Sequence, residues 1–254
     1  MRIARVSVPD IAHPVFGVID GNTIALLRGH PFGDLDPTGI ALDLDDVKIL
    51  APVLPSKVVC VGKNYADHAK EMGGEVPAEP VIFIKPSTTV IGEGDAIVLP
   101  PQSSNVHYEV ELAVVISHLC KDVAVERASE VILGYTVAND VTARDLQNSD
   151  GQWTRAKSFD TFCPLGPWIE TELDPTHLAI SLDVNDEIKQ NGNTSDLVRS
   201  AHEMVAWISS VMTLLPGDVI LTGTPAGVGP LVHGDIVTAT IEGIGSLSNP
   251  VVLR

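Results

Sequence analysis

The sequence predicts a β-rich α+β fold with a rolled or sandwiched sheet. Short apolar or alternating runs, bounded by Gly, Pro, Asp and Asn, outnumber the segments with helical spacing. Strand-like and helix-like segments do not alternate regularly, and the sequence contains neither repeats nor low-complexity segments. A chain with many strands and few intervening helices favours a sheet that rolls up or packs against another sheet.

Residues 1–54 are predicted to form a small N-terminal β-rich domain and linker, and residues 55–254 a second, larger domain. Three strand-like runs, Arg2–Val8, Val15–Ile19 and Thr23–Leu27, are separated by turn residues. A stretch rich in Gly, Pro and Asp and a connector with two prolines follow these runs. That composition is typical of a linker.

The second domain shows two helix signals among many strand signals. Asn64 is predicted to cap a short helix over Tyr65–Met72. Ser200 and Glu203 form a capping box ahead of apolar residues at helical spacing over 201–215. Strands are predicted at Lys57–Val61, Val81–Pro86 and Leu133–Asp140. Turns that begin strands are predicted at Gly94-Asp95, Gly217-Asp218 and Gly234-Asp235, and a hairpin turn at Asn185-Asp186.

The charge of the chain argues against two classes of partner. Acidic residues outnumber Lys plus Arg by 33 to 16, a net charge of −17, which repels nucleic acid and anionic membrane surfaces. No apolar run approaches the length of a membrane span, and no signal peptide is recognised. The three cysteines, Cys60, Cys120 and Cys163, are scattered, as in a reduced compartment. We therefore expect a cytoplasmic protein with core cysteines.

A pair of carboxylates leads into the most apolar strand signal of the chain. Glu109 and Glu111 are two residues apart, so on a strand they share a face, about 6–7 Å apart. Carboxylates held there next to an apolar core favour a hard divalent cation such as Mg²⁺ or Mn²⁺. The alternative is an edge strand with a solvated face. Asp140, at the tip of another apolar run, would complete a three-carboxylate set or would cap a turn.

Two further patterns suggest catalysis, each with a structural alternative. His68 and Glu71 are three residues apart and share a helix face, although a histidine on a short helix is commonly a surface residue. Lys157 could neutralise a substrate carboxylate or an enolate, although most lysines are solvated. The glycine-rich segment 223–229 lacks the lysine of a phosphate-binding loop, so it indicates a tight turn that brings Thr224 to a ligand.

Six segments in order resemble the fumarylacetoacetate hydrolase family. The resemblance covers residues 57 to 252 and is closest to its short-chain branch, which includes acylpyruvate hydrolases, oxaloacetate decarboxylases and 2-hydroxyhepta-2,4-diene-1,7-dioate isomerases. It implies a mixed β-sandwich roll and a homodimer. The segments are Val61–His68, Phe83–Ser87, Glu109–Glu111, Asn139–Asp145, Lys157–Phe162 and Leu221–Gly229.

The resemblance also assigns roles to residues. It implies metal ligands Glu109, Glu111 and Asp140 for Mg²⁺ or Mn²⁺, catalytic residues His68, Glu71 and Lys157, and substrate-binding residues Arg144, Gln147, Gly223 and Thr224.

The expected function is metal-dependent C–C bond cleavage, by hydrolysis or decarboxylation, of a small 2-oxo acid such as an acylpyruvate or oxaloacetate, through a metal-stabilised enolate. The histidine–glutamate dyad favours cleavage, because a base there can activate water. The main alternative is a 2-hydroxyhepta-2,4-diene-1,7-dioate isomerase or decarboxylase of aromatic catabolism. A weaker one is a non-catalytic metal-binding member. The short N-terminal region argues against fumarylacetoacetate itself as substrate.

Overall fold

Three β-sheets and four short α-helices form the fold. The computed structural model describes residues 1–254. Its sheets have twelve, five and three strands, and antiparallel pairing dominates, with parallel pairs at a few positions. The predicted β-rich α+β class is confirmed. None of the helices is long and apolar enough to cross a membrane.

The strands and helices follow the chain in this order. The strands are β1 Arg2–Ser7, β2 Val15–Asp20, β3 Thr23–Leu27, β4 Pro37–Asp43, β5 Lys48–Leu50, β6 Val58–Gly62, β7 Val81–Lys85, β8 Val90–Ile91, β9 Ile97–Leu99, β10 Val106–Tyr108, β11 Val110–Ile116, β12 Ile132–Asn139, β13 Thr142–Ala143, β14 Cys163–Glu170, β15 Ala179–Val184, β16 Glu187–Asn193, β17 Val219–Leu221, β18 Gly229–Pro230, β19 Ile236–Ile241 and β20 Gly245–Leu253. The α-helices are α1 Ala66–Glu71, α2 Arg144–Asp150, α3 Thr154–Lys157 and α4 Ala201–Val211. Short 3-10 helices occupy Leu44–Asp46, Ser87–Thr89, Val125–Val131 and Thr194–Asp196.

The N-terminal strands extend the main sheet. Along the twelve-stranded sheet the order is β4-β3-β2-β1-β14-β12-β11-β17-β6-β7, with β5 on β1 and β8 on β14. Strand β1 pairs antiparallel with β14, with Ile3 opposite Ile169. Residues of the first fifty therefore share a hydrogen-bonded sheet with the rest of the chain. The division into residues 1–54 and 55–254 stays a prediction.

Strand β11 separates two apolar layers. Every residue of this strand is buried. Leu112 and Val114 belong to the larger apolar cluster, together with α4 and the five-stranded sheet, whereas Ala113 and Val115 belong to a cluster on the other face. The alternation follows from the two-residue period of a strand. A central strand buried on both faces explains the continuous apolar run in the sequence.

Helix α1 begins differently from the prediction. Asn64 does not cap it: its side-chain amide donates to the carbonyl oxygens of Thr222 at 2.8 Å and Arg199 at 2.9 Å. Tyr65 occupies the cap position without a side-chain hydrogen bond. The prediction of an Asn64 cap is wrong because the side-chain oxygen, which a cap would use as acceptor, instead accepts the Arg199 N–H at 3.0 Å. Local sequence does not reveal this distant partner.

Helix α4 confirms its predicted start but is shorter than predicted. The capping box of Ser200 and Glu203 is present. The helix ends at Val211, and Leu215 lies outside it. Leu214 instead pairs with Cys120 in an isolated β-bridge, so strand-like pairing replaces the last predicted turn.

The predicted turns and cysteine positions are confirmed. Asn185 and Asp186 connect β15 to β16 with φ of +53° and +64°, the left-handed conformation of a tight hairpin turn. The three Gly-Asp pairs precede β9, β17 and β19. All three cysteines are buried and free.

Asp218 fixes the turn that begins β17. Its fully buried carboxylate pairs with the Lys57 ammonium and accepts hydrogen bonds from Ser56 Oγ at 2.6 Å and the Leu215 N–H at 2.8 Å. Asp218→Ala should lower the free energy of unfolding by about 3–5 kcal/mol, because it leaves the half-buried ammonium unpaired. Urea unfolding measures this loss. Glu130→Ala removes an exposed ion pair with Arg127 and serves as the control, with no measurable change expected.

Candidate active site

Three carboxylates meet at adjoining ends of β11 and β12. Glu111 lies on β11, Glu109 lies in the one-residue break between β10 and β11, and Asp140 directly follows β12. The antiparallel pairing of β11 with β12, with Val110 opposite Asn139, brings them together. The Asp140 N–H donates to the Glu109 carbonyl at 2.8 Å. One oxygen from each carboxylate lies within 4.8 Å of the others, and all three residues are at most 4% exposed.

Three buried cations surround this carboxylate cluster. The Lys157 ammonium, at the end of α3, donates to Glu109 Oε2 at 2.9 Å and Asp140 Oδ2 at 2.6 Å. Arg144, the first residue of α2, pairs with Glu109. Lys85, the last residue of β7, is fully buried, pairs with Asp140 and donates to the Val141 carbonyl at 3.0 Å. Charges from three separate elements therefore compensate two of the acids.

The compensation is uneven, and the pKa values reflect this. Burial alone would raise the pKa of Glu109, but the charges of Lys157 and Arg144 outweigh it and hold that pKa well below its usual range. Burial and the neighbouring charges of Asp140 and Glu109 hold the pKa of Glu111 well above its usual range. Burial opposes the charge of Lys157, yet Asp140 and Glu109 raise the pKa of that ammonium.

Glu111 therefore lacks the cation that its partners have. Its only hydrogen-bond donor is the Gly223 N–H, at 2.6 Å from Oε2. A divalent cation at the cluster would ionise Glu111, and each carboxylate retains lone pairs for it. The donor set consists of hard oxygens, which suits Mg²⁺ or Mn²⁺. The residues fit a divalent cation on both charge and ligand chemistry.

His68 and Glu71 form a hydrogen-bonded pair on α1. His68 Nδ1 lies 3.0 Å from Glu71 Oε2, as their spacing of three residues predicts. His68 is buried and lines the same cavity as the carboxylate cluster. The second oxygen of Glu71 accepts the Gly227 N–H at 3.0 Å, which ties α1 to the glycine-rich segment. With Nδ1 donating to the carboxylate, Nε2 is left as the basic nitrogen.

The cavity contains eight of the ten predicted site residues. It encloses about 620 Å³, part of it open to solvent, and is lined by His68, Glu109, Glu111, Asp140, Arg144, Gln147, Lys157 and Thr224. Glu71 and Gly223 do not line it; they bond to residues that do, His68 and Glu111.

Sequence reasoning assigned no individual role to four residues around the site. Lys85 lies within a segment that resembles the family, but no role was predicted for it. Gln190 is fully buried, donates to Thr224 Oγ1 at 2.8 Å and accepts the Val110 N–H at 3.0 Å, which holds the Thr224 turn beside β11. Phe83 and Trp153 form an aromatic wall, with ring centroids 5.3 Å apart and Phe83 beneath the Lys157 ammonium.

A buried carboxylate cluster and a histidine–glutamate pair that share one cavity are the arrangement of an enzyme active site for small molecules. The family described as fumarylacetoacetate (FAA) hydrolase C-terminal matches residues 57–252, and the one described as Rv2993c-like, N-terminal matches residues 1–52. The chain belongs to the fumarylacetoacetate hydrolase family.

Relatives with named activities are enzymes. The chain is 48% identical to oxaloacetate tautomerase FAHD2A, mitochondrial, of Homo sapiens, with 99% of this chain and 92% of the relative covered. A 2-hydroxyhepta-2,4-diene-1,7-dioate isomerase from Mycobacterium marinum superposes with a TM-score of 0.93 at 52% identity, with 100% and 99% of the chains covered. A fumarylpyruvate hydrolase from Pseudomonas aeruginosa, in complex with Mn²⁺ and pyruvate, superposes with a TM-score of 0.75 at 38% identity, covering 82% and 92%. The protein is an enzyme of this family.

Removal of the Glu111 carboxylate tests the metal site. Glu111→Gln should weaken Mn²⁺ binding by at least about 100-fold, because a ligand is lost rather than a supporting group. Titration calorimetry with Mn²⁺ and Mg²⁺ measures the affinities. The matched control, Glu126→Gln, removes an exposed carboxylate and should bind as the wild type does. Equal affinities for all three proteins would place the cation elsewhere.

Lys85 is expected to hold Asp140 in position. Lys85→Met should lower the free energy of unfolding by about 3–5 kcal/mol, because Asp140 loses a buried partner. Addition of Mn²⁺ should recover part of that loss, since the cation offers Asp140 a new partner. Thermal unfolding with and without Mn²⁺ checks both effects. A variant as stable as the wild type without metal would show that Asp140 does not depend on Lys85.

Proposed function

We propose that the protein is a divalent-metal-dependent enzyme that acts on a small 2-oxo acid through its enolate. The observation that carries the proposal is the buried cluster of Glu109, Glu111 and Asp140, in which one carboxylate has no cationic partner. These three residues would hold a Mg²⁺ or Mn²⁺ ion, which would supply a Lewis acid that stabilises the negative charge of the enolate.

The charges of the site favour a dianionic substrate. With Glu111 ionised, the three acids balance Lys85, Arg144 and Lys157, so a divalent ion would give this buried group a net charge of +2. Lys63 adds a further positive charge to the cavity lining. Two carboxylates on one small molecule would compensate two of these positive charges. This supports a 2-oxo dicarboxylate such as oxaloacetate ahead of a neutral-ended acylpyruvate.

His68 is proposed to move the proton in this reaction. Glu71 orients its ring through Nδ1, and Nε2 can accept a proton from the carbon next to the keto group or from water. Lys157 faces the same space and would stabilise the negative charge that develops on the substrate. Gln147 and Thr224 would orient the bound acid.

Keto–enol tautomerisation of a 2-oxo dicarboxylate is the first candidate reaction. It requires one proton to leave the enol oxygen and one to be added to the adjacent carbon, without water attack, and His68 is the residue proposed to move a proton there. The relatives named as a tautomerase and an isomerase, which are similar to this chain over nearly its whole length, support this reaction. Cleavage of a C–C bond is the second candidate, favoured by the dyad, which can activate water, and by the relative named as a fumarylpyruvate hydrolase. Dimerisation of the chain stays a prediction.

Freshly dissolved enol-oxaloacetate separates the candidates. With Mg²⁺ or Mn²⁺, the wild type should accelerate loss of the enol absorbance, and pyruvate should not appear at a matching rate. His68→Ala should lower kcat by about 10²–10⁴-fold, the usual contribution of a general base. His177→Ala, which removes an exposed histidine, is the matched control.

Other outcomes redirect the proposal. Pyruvate formation at the same rate as enol loss would favour cleavage over tautomerisation. Full activity after exhaustive EDTA treatment, or an unchanged kcat in His68→Ala, would contradict the proposed mechanism.

A further inference from the structure

Lys63 stands apart from the other lysines of the chain. Seven of the eight lysines lie within 3.2 Å of a carboxylate oxygen, whereas Lys63 forms no ion pair. In a chain with 33 acidic residues, an unpaired lysine is exceptional. Lys63 is also the one lysine besides Lys157 that lines the active-site cavity. A cation without a protein partner, in a cavity, is available to an anionic ligand.

The backbone at Lys63 is unusual as well. Its φ is +57°, in the left-handed region that glycine and asparagine favour. Conformations of this kind cluster at sites of ligand contact, where the surrounding structure maintains them. Here the neighbouring Asn64 is fixed by its bonds to the Arg199 and Thr222 carbonyls, which anchors the turn.

Lys63 lines the more exposed part of the cavity, its mouth, and the carboxylate cluster lines the buried part, its floor. The three acids are at most 4% exposed, whereas Lys63 is partly exposed. Its ammonium lies against Gly74, where a Cβ would approach Nζ to 2.8 Å. Both ends line one cavity, so a 2-oxo acid held at the floor by its keto-acid end would share that cavity with this ammonium.

We infer that Lys63 recognises the distal carboxylate of the substrate and thereby selects 2-oxo dicarboxylates over 2-oxo acids with an uncharged end. The inference rests on the proposed function, since it requires the keto-acid end of the substrate to bind a metal at the carboxylate cluster. The ammonium stabilises the distal carboxylate by a charge-assisted hydrogen bond. Lys63 is thus a specificity-determining residue rather than a participant in proton transfer.

Two ligands of equal length test this role. 2-Oxoglutarate and 2-oxopentanoate differ only in the distal carboxylate, and their affinities for the Mg²⁺-loaded protein are measured by titration calorimetry. Wild type should prefer 2-oxoglutarate. Lys63→Gln should reduce the preference ratio by about 10- to 100-fold, the range for a lost hydrogen bond between charged groups. Lys63→Arg should retain most of it.

Gly74→Ala is a second variant that leaves Lys63 in place. The backbone at Gly74 is open to alanine, and the added methyl must displace only the flexible end of Lys63. It should reduce the preference ratio in the same direction but less than Lys63→Gln does. An unchanged ratio in both variants would overturn the inference, as would an equal weakening of both ligands by Lys63→Gln.

The failure of the proposed function gives a different pattern. If each ligand binds as tightly after EDTA treatment as it does with Mg²⁺, a metal at the carboxylate cluster does not hold the keto-acid end. The proposed function and this inference then both fail. If Mg²⁺ is required for both ligands but 2-oxoglutarate has no advantage in the wild type, only the role of Lys63 is wrong.

Discussion

The electrostatic balance around three buried carboxylates is the constraint on which the site depends. Carboxylates so close together in a low-dielectric interior repel one another and lose their hydration. Lys85, Lys157 and Arg144 offset this cost, and each comes from a different element: β7, α3 and α2. The sheet and the two short helices must all be in place before the cluster is stable. Glu111 is the carboxylate left without a cationic partner, and a divalent cation bound there would stabilise the fold and serve the proposed chemistry.

Sequence reasoning succeeded where the geometry is local. Glu109 and Glu111 are two residues apart along a strand direction, and His68 and Glu71 are three apart on a helix, so secondary structure alone brings each pair together. Sequence reasoning was weaker where the pairing between strands determines which residues lie close together. The apolar run before Asp140 left it as either a third carboxylate ligand or a turn cap, and only the family resemblance favoured the ligand, because the register of β11 against β12 cannot be read from a single sequence.

Interactions over long sequence distances account for what was missed. Lys85 reaches Asp140 across 55 residues, and Gln190 reaches the Val110 N–H across 80. Asn64 is a local prediction that failed because of a distant partner. Its position suited a local helix cap, but its side-chain oxygen accepts the N–H of Arg199, 135 residues away. Buried polar groups outcompete local capping when they would otherwise lack partners.

The floor and the mouth of the cavity are held in place by different interactions. This difference helps to explain how members of one family have different activities. The floor consists of side chains fixed in the core by mutual ion pairs, so changes there carry large energetic costs. The mouth includes Lys63, just before the six-residue α1, and Met72, just after it. Single hydrogen bonds, such as that from Gly227 to Glu71, and the contacts of the Arg199 guanidinium with the Pro77 and Ala78 carbonyls hold these segments. Loops attached this lightly tolerate substitution. A fixed floor and a lightly held mouth are compatible with the different activities for which the relatives are named. The mouth is where we infer that Lys63 selects the substrate.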